Sequence, residues 1–240
     1  MSRLTRWLDR VAYRSYADNW DNRLFREAVI ERLPSTGNVL DLGAGAGIVR
    51  EMDLRGLGLR IHGIDLDPRV LHNPLLDDAR VGSAEDIPYA DGSFELVVCN
   101  NVLEHLPDPG RAFREVARVL RPGGAFLAKT PNRWHYVTLI ARMTPHRAHE
   151  VVNAWRGRDR EDTFPTLYRA NSSSALRRWA ATANLAVERV RYVEGRPEYL
   201  RILAPAYLLG IAYERIVNAT ERLAPLRVVL IATLRKPGGS

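Results

Sequence analysis

The sequence predicts an α/β fold built on a mainly parallel, Rossmann-like sheet. Short apolar strands alternate with helical segments over residues 38–130, the pattern of a parallel sheet with helices on both faces and right-handed crossovers. The apolar run that begins at Val39 leads into three glycines at alternate positions, Gly43, Gly45 and Gly47. A chain of 240 residues with 46% hydrophobic content can form one such domain with added segments.

The N-terminal 34 residues are expected to form a helical cap. Apolar residues recur at helical spacing from Leu4 to Ala12 and again from Leu24 to Leu33, and the pattern stops at Pro34. Residues 3–33 are therefore predicted to be helix. The cap could pack its aromatic face on the core, or cover the glycine loop as a lid.

Seven strands and three further helices are predicted after the cap. The expected strands are Asn38–Leu42, Leu59–Asp65, Ala79–Gly82, Phe94–Asn100, Ala125–Thr130, Ala186–Tyr192 and Arg227–Leu234. The expected helices run from the glycine loop through Met52, over Pro109–Leu120, and over Ser173–Ala183. We predict a single domain over 1–240, with a core at 38–130, an insertion at 131–170, and a C-terminal part at 171–240 that carries an apolar helical insertion at 197–225.

The carboxyl ends of the predicted strands gather the polar candidates for a ligand site. Ligands of open α/β sheets bind at this edge, which brings together the glycine loop, Asp65, Ser83–Ala84 and Asn100–His105. Asp65 ends the second strand about 20 residues after the glycines, where ribose-binding acids occur in nucleoside-binding folds. Its carboxylate can accept hydrogen bonds from both ribose hydroxyls. These positions predict a nucleoside-bearing ligand.

Composition narrows the class of protein. A net charge of +7 favours anionic partners such as nucleic acid, phosphorylated lipid or a membrane surface, although a general arginine bias would give the same total. The lone Cys99 excludes a disulfide framework within the chain. His146 and His149 lie three residues apart without a matching carboxylate, so no metal site is expected. The first residues lack the apolar core of a signal peptide, which predicts a cytoplasmic protein.

Five short motifs, in order, resemble the core of the class I S-adenosylmethionine-dependent methyltransferases. Within that class the chain is most similar to the broad group that includes the quinone-biosynthesis methyltransferases. The motifs are Val39–Gly47, Gly63–Asp65, Ala84–Tyr89 with Phe94–Val98, Leu103–Leu106, and Val119–Gly124. The resemblance implies a seven-stranded sheet whose last strand is antiparallel, with a helical insertion after strand five. The third glycine comes one place earlier than in the dinucleotide pattern G-x-G-x-x-G.

The resemblance also implies the cofactor, S-adenosylmethionine, and the residues that hold it. Asp41 and the loop backbone would hold the methionine portion, Asp65 the ribose, and Ser83–Ala84 the adenine, while Asn100 would lie near the reactive end. Relatives often have an acid where this chain has Ser83, and Asp86 could supply that charge. The full set of expected cofactor contacts is Asp41, Gly43, Ala44, Gly45, Asp65, Leu66, Ser83, Ala84, Glu85 and Asn100.

His105 is the candidate general base. Methyl transfer is an in-line displacement, so orientation of the reactants can supply most of the rate and a base is needed only if the acceptor must lose a proton. His105 lies just beyond strand four, and histidine is the side chain most often used as a general base near neutral pH. The alternative is a helix-start histidine that orders the loop. His135, His146 and His149 are weaker candidates.

The insertion at 131–170 is rich in aromatic and basic residues, and we expect it to roof the acceptor site. Trp134, His135, Tyr136 and Arg169 are the expected acceptor contacts. Arginine suits carboxylate or phosphate, which predicts an anionic small molecule, or an acceptor on a lipid or glycan carrier. Several of these arginines could instead simply face solvent.

Residues 202–213 form an uncharged run that is too short to cross a membrane. The run could pack on the core, join two subunits as a homodimer, or give peripheral membrane association through 199–217. Core or dimer contact is favoured over membrane contact.

The leading functional prediction is methyl transfer to an oxygen or nitrogen of the acceptor. An RNA methyltransferase is the first alternative, but nucleic acid is disfavoured because no nucleic-acid-binding module is present and the segment after strand four reads Asn100–Leu103 rather than Asn-Pro-Pro-Tyr. A non-catalytic cofactor-binding subunit is the second alternative. The intact glycine loop and Asp65 argue against it.

Overall fold

The structure is a computed structural model that describes residues 2–14, 16, 19–143 and 165–238. Contacts within the chain define two compact units. The sheet unit comprises residues 22–131, 164–191 and 230–240, and the helical unit comprises residues 1–21, 132–163 and 192–229. Of the predicted insertion at 131–170, residues 144–164 lie outside the described residues, and with them His146 and His149.

The helices and strands follow the predicted order. The helices are α1 (Arg3–Ala12), α2 (Trp20–Ile30), α3 (Pro109–Val119), α4 (Tyr136–Met143), α5 (Ser173–Thr182) and α6 (Ala204–Asn218). The strands are β1 (Gly37–Leu42), β2 (Leu59–Asp65), β3 (Asp78–Val81), β4 (Phe94–Asn100), β5 (Leu120–Pro131), β6 (Ala186–Val193) and β7 (Val229–Arg235). Short 3-10 helices lie at Arg50–Met52, Pro68–His72, Glu198–Leu200 and Glu221–Leu226.

The strands form one seven-stranded sheet in the order β3-β2-β1-β4-β5-β7-β6. The pairs β1–β2, β1–β4, β2–β3 and β4–β5 are parallel. Strand β7 runs antiparallel to β5, because Gly123 N donates to Lys236 O at 3.0 Å while Lys236 N donates to Gly124 O at 2.9 Å. The predicted fold class, including the antiparallel last strand, is confirmed.

The core of the sheet unit lies around β1, β4 and β5. Leu96, Val97 and Val98 are fully buried, as a continuous apolar run in a central parallel strand predicts. Phe113 of α3 packs edge-on against Phe126 of β5, with ring centroids 5.6 Å apart. Burial of each side chain of this size contributes roughly 1.5–3 kcal/mol to the stability of the fold. This packing fixes the carboxyl ends of the central strands.

The prediction of a helix directly after the glycine loop is wrong. Only the 3-10 turn Arg50–Met52 is present, and the connection from β2 to β3 likewise holds only the turn Pro68–His72. In the first segment, two glycines with positive φ, Gly56 and Gly58, follow shortly after this turn and do not favour its continuation as an α-helix. The glycine loop is therefore held by side chains and neighbouring strands rather than by a following α-helix.

Several other helix and strand boundaries differ from the predicted ones. Residues 3–33 form two helices, α1 and α2, rather than a continuous helical stretch, and Tyr13 already has non-helical torsions. Strand β5 begins at Leu120, five residues earlier than expected, so α3 ends one residue early and Arg121–Gly124 belong to the strand. A register shift between Phe94 and Leu96 accommodates this segment. Among the described residues, no helix combines the length and apolar character needed to cross a membrane.

Candidate cofactor and active site

The glycine loop is tied to the end of β2 through its backbone. Gly43 N and Ala44 N both donate to Ile64 O, at 2.8 and 3.1 Å. Gly43 has φ +82°, and a Cβ at this position would clash with Cγ2 of Val102. Glycine is required here for both its torsion and its close approach to a neighbouring segment.

Asp65 lies directly beside this loop. Its Oδ2 accepts from Gly45 N at 2.8 Å, and its Oδ1 accepts from Asp67 N at 2.9 Å. Each carboxylate oxygen keeps a further lone pair for a ligand. A Cβ built at Gly45 would meet only Asp65 Oδ2, at 3.9 Å. The space above the loop and beside the acid is open, as a cradle for a ligand requires.

Asn73 supports the loop from below, and the sequence motifs did not reveal it. Its side chain is buried, and Nδ2 donates to both Ala44 O and Gly45 O at 3.1 Å, while Oδ1 accepts from Leu75 N at 2.9 Å. It also fills the space that a side chain at Gly47 would need. The Asn-Pro pair at 73–74 indicates a turn, but nothing local indicates its partners. Asn73 is a positioning residue for the loop.

Asp41 is a buried carboxylate without a hydrogen-bond donor among the described residues. It is 8% exposed, and burial raises its pKa to about 7, with a further contribution from the negative charge of Asp65. Such a group lacks a compensating cation. A ligand with an ammonium group would supply one, so this residue fits the amino-acid end of the expected cofactor.

The residues expected near the adenine form a tight turn. Ser83 Oγ accepts from Glu85 N at 3.1 Å, and Asp86 N donates to Ser83 O at 3.1 Å. The Glu85 carboxylate accepts from Asp108 N at 2.6 Å, at the start of α3. The Ser83 and Glu85 side chains therefore fix the backbone of this turn. Leu66, by contrast, is 64% exposed and offers an apolar surface next to Asp65.

A buried polar cluster holds Asn100 at the end of β4. Asn100 and Lys129 are register partners on β4 and β5. Asn22 Oδ1 of α2 accepts from Lys129 Nζ at 2.5 Å and from Asn100 Nδ2 at 3.2 Å. Asn100 Oδ1 is buried and has no hydrogen-bond partner among the described residues. A buried acceptor oxygen without a donor, where the reactive end of the cofactor is expected, is compatible with a ligand group at that position.

His105 lies in a turn rather than at the start of a helix. Its Nδ1 donates to the carbonyl oxygen of Pro165 at 2.9 Å, so this ring nitrogen carries a proton. The neighbouring Glu104 points away into the core. Its Oε2 accepts from Thr130 Oγ1 at 3.0 Å, and burial raises its pKa. The contact with Pro165 joins the turn at His105 to residue 165 and fixes the orientation of the ring.

The four expected acceptor contacts fall in different units. Trp134, His135 and Tyr136 belong to the helical unit, whereas Arg169 belongs to the sheet unit and donates to Pro107 O. Trp134 is half exposed, but His135 is buried, with Nε2 3.4 Å from Oε2 of Glu194. Within the part of the chain that the structure describes, neither of those two atoms has a hydrogen-bond partner. Glu194 was not singled out in the sequence, because its partner lies 59 positions away along the chain.

An arginine-lined hollow of about 540 Å³ also opens on the sheet unit. Arg23, Arg26, Arg50 and Arg55 line it together with Glu51 and Asp53. None of the expected cofactor contacts borders this hollow. Within the described ranges, no group of three or more histidine, cysteine, aspartate or glutamate side chains could hold a metal ion.

A Rossmann-like sheet with a glycine loop hydrogen-bonded to an acid at the end of β2 defines an α/β domain for a nucleoside-bearing ligand. Residues 40–128 match the family described as a methyltransferase domain. The chain is 34% identical over 179 residues to an uncharacterized methyltransferase of Mycobacterium sp., covering 69% of this chain and 67% of that protein. The chain therefore belongs to the class I S-adenosylmethionine-dependent methyltransferases.

Two further similarities bear on the cofactor and fold. The chain is 40% identical over 139 residues to a ubiquinone biosynthesis O-methyltransferase of Xanthomonas oryzae pv. oryzae, covering 50% of this chain and 58% of that relative. A geranyl diphosphate C-methyltransferase of Streptomyces coelicolor A3(2), solved with S-adenosyl-L-homocysteine, has the same fold: TM-score 0.56, 18% identity, 88% of this chain and 78% of that one. Membership of the family confirms S-adenosylmethionine as the expected cofactor.

Proposed function

We propose that this chain transfers the methyl group of S-adenosylmethionine to an oxygen of a small-molecule acceptor, a nitrogen being the second choice. The contact between Asp65 and Gly45 N at the open side of the glycine loop carries the proposal. The proposal is supported by the chemistry of this carboxylate, which could accept hydrogen bonds from ribose hydroxyls. The similarity to an O-methyltransferase favours oxygen.

Each end of the cofactor has a suitable group in the sheet unit. The buried Asp41 carboxylate would pair with the ammonium of the methionine portion, and its ionised form would then be stabilised. Exposed Leu66 and the turn at Ser83–Ala84 would enclose the adenine. Asn100, held by Asn22, would present its orphaned oxygen near the reactive end. The bound cofactor supplies a sulfonium-activated methyl group.

His105 would accept the proton of an acceptor hydroxyl. Its Nδ1 is held by Pro165, so Nε2 is the basic atom. A positioned base of this kind is worth roughly 10²–10⁴ in rate. Orientation of acceptor and cofactor contributes the larger share, of the order of 7–11 kcal/mol.

The acceptor is expected to be anionic, or to be carried on a lipid or glycan. Trp134, Tyr136 and Arg169 remain the proposed acceptor contacts, and His135 is proposed to support its neighbours Trp134 and Tyr136 because it is itself buried. A lipid-linked acceptor would require contact with a membrane surface, for which residues 199–217 were expected. A homodimer contact is the alternative use of the same residues.

Calorimetric titration with S-adenosylhomocysteine tests cofactor binding. We expect Asp65→Ala to weaken binding at least tenfold, because each hydrogen bond to a charged group is worth about 1.5–3 kcal/mol. Asp67→Ala is the matched control: it removes a nearby carboxylate that pairs with Arg69. Equal affinity of the Asp65 variant and the wild type would contradict the proposed site.

Transfer of a labelled methyl group separates the three functions. Incorporation into small molecules or extracted lipids, with none into RNA, is the expected result. Label in RNA would favour an RNA methyltransferase instead. Tight binding of S-adenosylhomocysteine without transfer to any class of acceptor would favour a non-catalytic subunit.

A further inference from the structure

Helix α1 carries an exposed apolar stripe. Leu4, Trp7 and Val11 follow one another at spacings of three and four residues, which places them on one side of the helix. They are 49%, 51% and 55% exposed, whereas Thr5 and Leu8 on the neighbouring side are buried. A single exposed apolar side chain is ordinary, but a stripe with a tryptophan at its centre is typical of a helix that lies at an interface.

A row of arginines runs beside this stripe. Arg3, Arg6, Arg10 and Arg14 repeat at the same spacings and are all exposed. The only acid of α1 is Asp9, and its carboxylate accepts from Arg201 at 2.7 Å and from Tyr207 at 2.5 Å. Asp9 is thereby directed toward the protein and does not offset the arginines. The outward side of α1 is both apolar and positively charged.

Helix α6 adds a second exposed apolar surface to the same unit. Leu208, Leu209 and Ile216 are 49%, 73% and 59% exposed, and Leu203 just before the helix is 64% exposed. The opposite side of α6, with Tyr207 and Val217, is buried. The two helices are joined by Tyr13, whose hydroxyl donates to Glu214 at 3.1 Å, and by the contact of Asp9 with Tyr207. Both exposed surfaces therefore belong to one packed pair of helices.

We propose that this arginine–apolar surface, formed by Leu4, Trp7, Val11, Leu203, Leu209 and Ile216 with the arginine row of α1, docks the helical unit on an anionic lipid bilayer. The apolar side chains enter the headgroup region while the guanidinium groups contact lipid phosphates. A symmetric contact between two copies would instead bring two arginine rows together, and like charges oppose such an interface. Docking does not require methyl transfer, so it is measured without cofactor or acceptor.

Sedimentation of the full chain with lipid vesicles tests the proposal. Vesicles of phosphatidylglycerol mixed with phosphatidylcholine should bind the protein, and vesicles of phosphatidylcholine alone should bind it far less. Binding should weaken as salt rises from about 0.05 to about 0.5 M, because the Debye length falls severalfold over this range. Equal binding to both kinds of vesicle would overturn the proposal, as would no binding to either.

Matched variants locate the contact. Trp7→Ser and Leu209→Ser should each reduce vesicle affinity, while Leu57→Ser, which replaces a 41% exposed leucine of the sheet unit, should leave it unchanged. Arg6→Gln and Arg10→Gln should each weaken binding about fivefold, and Arg177→Gln on the exposed side of α5 is their control. Unchanged unfolding temperatures would show that the variants fold.

Two further results separate this proposal from its alternatives. A concentration-dependent dimer that Trp7→Ser dissociates, without vesicle binding, would show that a second copy covers the surface and would overturn the proposal. Failure to bind S-adenosylhomocysteine with vesicle binding intact would contradict the proposed function alone and leave the docking surface supported.

Discussion

At the scale of single residues, ionisation of Asp41 is expected to change stability and ligand binding in opposite directions. Its pKa of about 7 in the folded chain lies above the value of about 3.9 expected when unfolded. The protonated form is therefore favoured by folding. The contribution of Asp41 to the free energy of unfolding is complete below about pH 4. It is lost as the pH rises through about 7.

Asp41→Asn should therefore stabilise the ligand-free protein at alkaline pH. We expect the variant to exceed the wild type by about 1–4 kcal/mol at pH 8.5 and by about half as much at pH 5.5, because the wild type loses stability steadily between the unfolded and the folded pKa of Asp41. Denaturant unfolding at the two pH values measures this. A wild type that gains stability over the variant as pH rises would show that Asp41 is already paired.

Cofactor affinity should depend on pH with the opposite sign. A cationic ligand favours ionised Asp41, so S-adenosylhomocysteine should bind more tightly as pH rises from about 6 to about 8, and binding at pH 6 should release a proton. Titration in two buffers of different ionisation heat measures that proton. Asp41→Asn should bind weakly at every pH in the range. A pH-independent wild-type affinity would argue against the pairing.

His105 should affect turnover without affecting cofactor binding. We expect His105→Ala to lower kcat by about 10²–10⁴, because the proton acceptor is removed while Asp65 and the loop are untouched. His72→Ala, an exposed histidine of the sheet unit, is the control. The readouts are labelled-methyl transfer and S-adenosylhomocysteine affinity. Full turnover of the His105 variant would leave only its contact with Pro165 as its role.

At the scale of elements, the glycine loop depends on a residue outside its own motif. Asn73→Ala would leave the carbonyl oxygens of Ala44 and Gly45 without that donor, which costs about 1–3 kcal/mol in unfolding free energy. Cofactor affinity should fall as well, because the loop loses its position. Asn218→Ala, which removes an exposed amide bonded to Glu214, is the control. Calorimetry and denaturant unfolding measure the two effects, and an unchanged affinity would show that the strands alone hold the loop.

The elements also show how far the sequence predicts the fold and the site. The predicted bounds of β2 and β4 agree with the structure. β4 contains a continuous apolar run, which specifies a buried strand, and β2 alternates up to Asp65. The helix expected after the glycine loop is absent because the motif specifies a turn but leaves the next element open. The motifs and the resemblance predicted Asp41 and Asp65 as site residues. Asn73, Asn22 and Glu194 could not be predicted, since their roles depend on partners distant in the chain.

At the scale of the whole molecule, ligand binding should stabilise the sheet unit in particular. The Asp41, Asp65 and glycine-loop positions all lie within that unit. S-adenosylhomocysteine at about one hundred times its Kd should raise the unfolding free energy by about 2.7 kcal/mol. At the same ligand concentration, scanning calorimetry should show a higher transition temperature in the wild type and a rise about half as large or smaller in Asp65→Ala. An equal rise in both proteins would place the ligand elsewhere.

The buried lysine has a practical consequence for following the protein in solution. The chain contains two lysines, and Lys129 is fully buried at the end of β5 whereas Lys236 is partly exposed. Of the two lysines, an amine-reactive dye should therefore mark Lys236 first. Acylation of Lys129 requires the end of β5 to open. The rate at which Lys129 becomes labelled, followed by mass spectrometry, would therefore measure local opening beside the proposed cofactor site.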